Sequence, residues 1–153
     1  MCRKTTANLS YNEALSSNSI EAGVLPLTDA LNKAKFKTIA SCEGHFYSKT
    51  FSRKNLVVYH PYVLFNAEVC DVRKLAQFLG NGSGIDNSLN YCWTLRGHFE
   101  PDDFKKLIWV IEAEDSRIPA QWERNKVDHD FVVLAEYVKT IKTVSQADTE
   151  QQK

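Results

Sequence analysis

The sequence contains no apolar run approaching the roughly 20 residues of a membrane-spanning helix, which excludes that class of protein as an expectation. It has no net charge, with 19 basic and 19 acidic residues, so it lacks the overall positive charge with which nucleic-acid binders attract phosphate. Its four cysteines, Cys2, Cys42, Cys70 and Cys92, include no Cys-x-x-Cys pair. The polar start, Met1 to Thr6, has none of the apolar core of a secretory signal. Together these give the expectation of a cytoplasmic chain whose cysteines are thiols rather than a disulfide framework. There is also no internal repeat, low-complexity tract or linker, so a single domain spanning 1–153 is expected. With 43% hydrophobic and 25% charged residues, the composition is that of a globular chain rather than a disordered or fibrous one.

What is present is unevenly spread. Residues 1–60 carry eight Lys or Arg against four acids, while 101–153 carry eight against eleven. A basic face around Lys33, Lys35, Lys37, Lys49, Arg53 and Lys54 is one consequence, able to receive an anionic ligand; a solvated helix end and loop is the other reading.

Along the chain, residues 1–19 show little periodicity and read as a loosely held arm. The spacing of Val24, Leu27, Leu31 and Ala34 predicts a helix, with Pro26 tolerated in its first turn. Phe36 to Ser41 reads as a short strand, and Cys42 to Lys54 as a loop in which Gly44 supplies backbone angles other residues avoid. Two β-rich runs follow, Leu56–Tyr59 and Tyr62–Ala67, separated by His60-Pro61. Val72, Leu75, Ala76 and Leu79 predict a helix opened by Asp71 and stopped by Gly80-Asn81-Gly82. Glycines at 80, 82 and 84 are compatible with a phosphate cradle or with a plain helix stop. Leu89–Phe99 and Phe104–Ala113 predict a β-hairpin, with a helix as the alternative for the second arm. Asp128 reads as the N-cap of a closing helix carrying Phe131, Leu134, Ala135, Val138 and Ile141, and the tail from 145 to 153 reads as frayed. This order predicts an α+β fold: one two-layer domain, a mixed, mostly antiparallel sheet packed by about three helices.

The chemistry concentrates in "SCEGH", Ser41 to His45, at the end of the predicted strand. A thiol near an imidazole can be activated, and a carboxylate can orient the imidazole or move a proton itself, so Cys42, Glu43 and His45 are the candidate catalytic residues. Ser41, Arg53, Lys54, Tyr62, Arg96 and His98 are candidate ligand-binding residues. Arg96 and His98, two apart on a strand, project from one face and would meet the ligand if that strand lay beside the one ending at Cys42. Cys-x-x-His is also half a zinc site, which Cys70, Cys92, His60 or His98 would have to complete, and none of these forms a second close pair. The opposing reading makes Cys42 a small buried side chain, Gly44 a turn residue and His45 a surface residue.

The stretches "ASCEGHF", "HPYVLFNAEV" and "DVRKLAQFLG" resemble the wybutosine-synthesising tRNA methyltransferase family, in which a Ser-Cys turn precedes a Pro-aromatic-aliphatic strand and a helix. The matching positions are Ser41, Cys42, Gly44, Pro61, Tyr62, Val63 and Leu64, within about residues 36–98. Glu43 stands where that family has a small residue, and His45 where it has arginine. The chain also resembles bacterial proteins with a Ser-Cys-x-Gly-His turn before a Pro-Tyr strand. The likeness implies a related α/β fold with a pocket at the Ser-Cys turn, and it brings in S-adenosylmethionine as a cofactor and tRNA as a partner. Three function classes follow: a small enzyme or small-molecule ligand-binding domain, a nucleic-acid-modifying protein using Tyr47, Phe51 or Tyr59 for stacking, and a homodimeric interaction protein with an aromatic surface.

Overall fold

The computed structural model describes residues 10–45, 60–80, 82–100, 103–114 and 121–141. Within them lie four helices, α1 (Tyr11–Ser16), α2 (Leu25–Lys33), α3 (Val69–Leu79) and α4 (Arg124–Val138), and four strands, β1 (Lys37–Cys42), β2 (Tyr62–Asn66), β3 (Trp93–Glu100) and β4 (Asp103–Ala113). The expected strand at Leu56–Tyr59 and the tail from 145 fall outside the described residues.

The strands form one sheet in the order β1-β2-β4-β3, every neighbouring pair antiparallel. The α+β expectation holds, and the hairpin reading of 104–113 holds over its helical alternative. Register assigns the faces. Val63 lies opposite Ile111 and Phe65 opposite Trp109, so these side chains share a face. Val63, Phe65 and Ile111 join Trp93 and residues of α2, α3 and α4 in a single buried cluster, against which the partly buried Trp109 packs. Each fully buried Leu, Ile or Phe of that cluster contributes about 1.5–3 kcal/mol relative to exposure.

The helices depart from expectation at their starts. Part of the supposed arm is α1, closed by a capping box: Ser10 Oγ accepts from the Glu13 amide, and the Glu13 carboxylate accepts from the Ser10 amide at 2.8 Å. The α2 face is as read, with Val24, Leu27 and Leu31 wholly buried. Helix α3 begins at Val69 rather than Asp71. Its buried face includes Phe78, stacked on Tyr137 at 4.0 Å, while Ala76 is exposed. Helix α4 begins at Arg124, one turn before the expected cap, because Asp128 pairs with Arg124 inside the helix instead of capping it. The glycine run after α3 is a helix stop. Gly80 has φ 55°, and the amides of Gly80, Gly82 and Gly84 are spent on the carbonyls of Ala76 and Leu79 rather than offered to a phosphate.

One buried charge ties the layers together. Asp130 has no exposed surface, and its two oxygens accept from the Asn90 amide, the Asn90 side chain, the Tyr91 amide and the Trp93 indole at 2.8–3.0 Å. Gly97 has a different role. A Cβ there would lie 2.8 Å from the Trp109 ring, which crosses the glycine from the neighbouring strand. Gly97→Val should therefore displace that ring and cost about 1–3 kcal/mol in urea unfolding. A loss below 0.5 kcal/mol would show that the ring moves freely, by the scale of ordinary surface substitutions of about ±0.5 kcal/mol.

Candidate functional site

Strand β1 ends at Cys42, which pairs with Tyr62 on β2. Beyond it Gly44 takes φ 86°, the left-handed region that a residue with a Cβ enters at a cost, and the chain turns back on itself. The turn brings the Gly44 amide to 3.4 Å from Cys42 Sγ, within range of an N–H···S hydrogen bond. It also points the Glu43 amide at Glu21 Oε2, 2.8 Å away, in the segment that leads into α2. The other oxygen, Glu21 Oε1, lies 3.0 Å from His45 Nε2, and both side chains are little more than a quarter exposed. Cys42 has no exposed surface. One ligand atom from each of Glu21, Cys42 and His45 lies within 4.8 Å of the other two.

The first turn of α4 clamps this arrangement from a third direction. Arg124 Nη1 donates to the Gly44 carbonyl at 3.0 Å, while Arg124 Nε donates to Asp128 Oδ1 at 2.8 Å. The Gly23 amide donates to Glu43 Oε2 at 2.8 Å. A Cβ on Gly23 would come within 2.7 Å of both that oxygen and Asp128 Oδ1, so glycine is what lets two carboxylates close in there. The site thus draws on residues 21–23, 42–45 and 124–128.

The structure places the expected residues as follows. Cys42 and His45 come together as the turn required. Glu43 turns to the Gly23 amide, and the place beside His45 that the sequence reading offered it is taken by Glu21. Glu21 was missed because an isolated acid ahead of a helix carries no signal of its own; only the path of the segment before α2 delivers it. Ser41 reaches a hollow of about 30 Å³ that Tyr11, Ala14, Ile20 and Thr28 also line, room for about one water. Burial, the largest cause, holds the Tyr11 phenol above the ordinary tyrosine range, so it faces the hollow as a neutral hydroxyl. Tyr62 stands beside Cys42 in the sheet.

Arg96 and His98 are not brought to the turn. Their strand β3 and strand β1 are the two opposite edges of the sheet, separated by β2 and β4, about 14 Å at ordinary strand spacing. Arg96 instead pairs with Glu112 and Glu114 across β4, and His98 is exposed. The condition on which their convergence rested, neighbouring strands, is not met. Arg53 and Lys54 lie outside the described residues, as do Tyr47, Phe51 and Tyr59. The residues that a zinc set would have needed are placed otherwise: His60 packs edge-on against Trp122, Cys70 is exposed on α3, and Cys92 precedes β3. A second hollow of about 350 Å³, beside Gly80, Gly82 and Trp93, is lined by no ionisable side chain among the described residues.

Comparison of the chain with protein-family models, with curated proteins and with solved structures finds no match. Among the described residues no helix is long and apolar enough to cross a membrane.

Proposed function

We propose that this protein is a small enzyme or ligand-binding domain whose chemistry is centred on Cys42 and His45, with Glu21 fixing the imidazole. The observation that carries the reading is the 3.0 Å contact between Glu21 and His45 beside a fully buried thiol. Carboxylate and imidazole in contact, with a thiol within 4.8 Å of both, support an arrangement in which a carboxylate orients a base and the base serves a nucleophile or a bound ligand. Two backbone amides, those of Glu43 and Gly44, hold the carboxylate and the sulfur in place. A solvent-directed His45 would have left only a turn.

Thermal-shift screening against metabolites and nucleotides tests this. A ligand that raises the melting temperature of the wild type should lose its effect on His45→Ala and on Cys42→Ser. Failure of the whole panel, together with His45→Ala behaving as wild type in stability and ligand response, would remove the reading.

A second reading, modification of nucleic acid, is supported by Lys33, Lys35 and Lys37, all exposed around the corner from α2 into β1, the strand that ends at Cys42. It would draw on S-adenosylmethionine and tRNA, as the sequence resemblance implies. Filter binding at two salt concentrations decides it, since binding carried by phosphate contacts must weaken as salt rises.

A further inference from the structure

We infer that Glu21, Cys42 and His45 bind one divalent transition-metal ion of the zinc class. This rests on the reading of the Cys42 turn as the functional centre, and it assigns the three side chains there as ligands of one ion rather than as base and nucleophile.

The donor set is the first reason. Thiolate, imidazole and carboxylate are the three side-chain types found on zinc, and the mixture of sulfur and nitrogen with oxygen disfavours magnesium and calcium, which take oxygen alone. Geometry is the second. Bonds of about 2.0–2.3 Å in a tetrahedron put ligand atoms about 3.3–3.8 Å apart. Glu21 Oε1 and His45 Nε2 stand at 3.0 Å, and all three ligand atoms lie within 4.8 Å of one another, so small side-chain rotations complete the set.

A third is that the ligands are held in place. The surrounding contacts are of the kind that position metal ligands: the Glu43 amide holds the far oxygen of Glu21, and the Gly44 amide reaches the sulfur. Both amides belong to the turn that Gly44 makes possible. Among the described residues the group has three members, the number of protein ligands in catalytic zinc sites, where water or substrate takes the fourth position.

The test uses the full chain, stripped with chelator and titrated with Zn²⁺ and Co²⁺. One equivalent of Zn²⁺ should bind and raise the melting temperature. Co²⁺ should give the visible bands of a four-coordinate ion with a thiolate-to-cobalt charge-transfer band. Cys42→Ser should lose that band, and His45→Ala and the isosteric Glu21→Gln should each weaken Zn²⁺ binding by at least about 10–100-fold, the effect of disturbing even an outer contact. Cys70→Ser and Cys92→Ser should bind as wild type. Binding that survives unchanged in Cys42→Ser overturns the inference, as does a wild type that binds neither ion. In that last case, a ligand response that still depends on His45 would leave the Cys42 centre standing without a metal, whereas its absence would remove both.

Discussion

Asp130→Ala is expected to lower unfolding stability by about 3–5 kcal/mol, the largest loss from any single polar side chain in the described fold. The carboxylate is wholly buried and takes four hydrogen bonds from Asn90, Tyr91 and Trp93; its removal leaves the Asn90 and Tyr91 backbone amides and the Trp93 indole without that acceptor, while the Asn90 side chain keeps its bond to the Lys126 carbonyl. Two of those donors, the Tyr91 amide and the Trp93 indole, are buried, where water does not replace the lost partner. Asp130→Asn should not rescue it. The amide keeps the shape but turns an NH₂ group toward two donors, and one pair must clash whichever way it is flipped. Urea unfolding of both variants measures this. A loss under about 1 kcal/mol for alanine, the value of an ordinary single hydrogen bond, would mean that Asp130 is not what joins α4 to the approach to β3.

The second large effect falls on Glu21. Glu21→Ala is expected to abolish the response to any ligand that acts through His45, with affinity or turnover down by about 100-fold or more, the scale on which a positioned acid or base acts. Its cost in stability should be smaller, about 1–3 kcal/mol, for one amide left without an acceptor. The asymmetry separates a functional carboxylate from a structural one. Glu43→Gln provides the contrast, since a side-chain oxygen there can still accept from the Gly23 amide, and it should retain the ligand response. If Glu21→Ala keeps a wild-type response that His45→Ala loses, the carboxylate does not serve the imidazole.

The legible parts of the fold were those with a repeating apolar pattern. The α2 face and the buried face of α4 from Phe131 to Val138 could be read because a period of 3.6 has one physical meaning once a core exists, although Ile141, expected on the same helix, lies beyond its end; the hairpin was legible from β-rich composition on either side of a turn, which left its second arm open to a helix. Helix starts were less legible. Asp128 has the chemistry of a cap, yet Arg124 one turn earlier offers it a charged partner, and the helix extends to include both. The short α1 was overlooked although Ser10 and Glu13 have the capping-box spacing, because six residues carry too little periodicity to register.

The sequence by itself determined the turn: Ser41-Cys42-Glu43-Gly44-His45 puts thiol and imidazole three residues apart on a glycine with left-handed geometry, a local consequence of chain stereochemistry. It also determined the class of fold, through patterning that any sheet packed by helices must satisfy. Tertiary structure decided which residues share the site. Strand order sent Arg96 and His98 to the far edge of the sheet, and the path of the chain into α2 and α4 delivered Glu21, Gly23 and Arg124 to the turn. Local pattern fixes which way a side chain faces along its own element, whereas proximity between distant segments depends on how whole elements pack, and no short stretch of sequence encodes that.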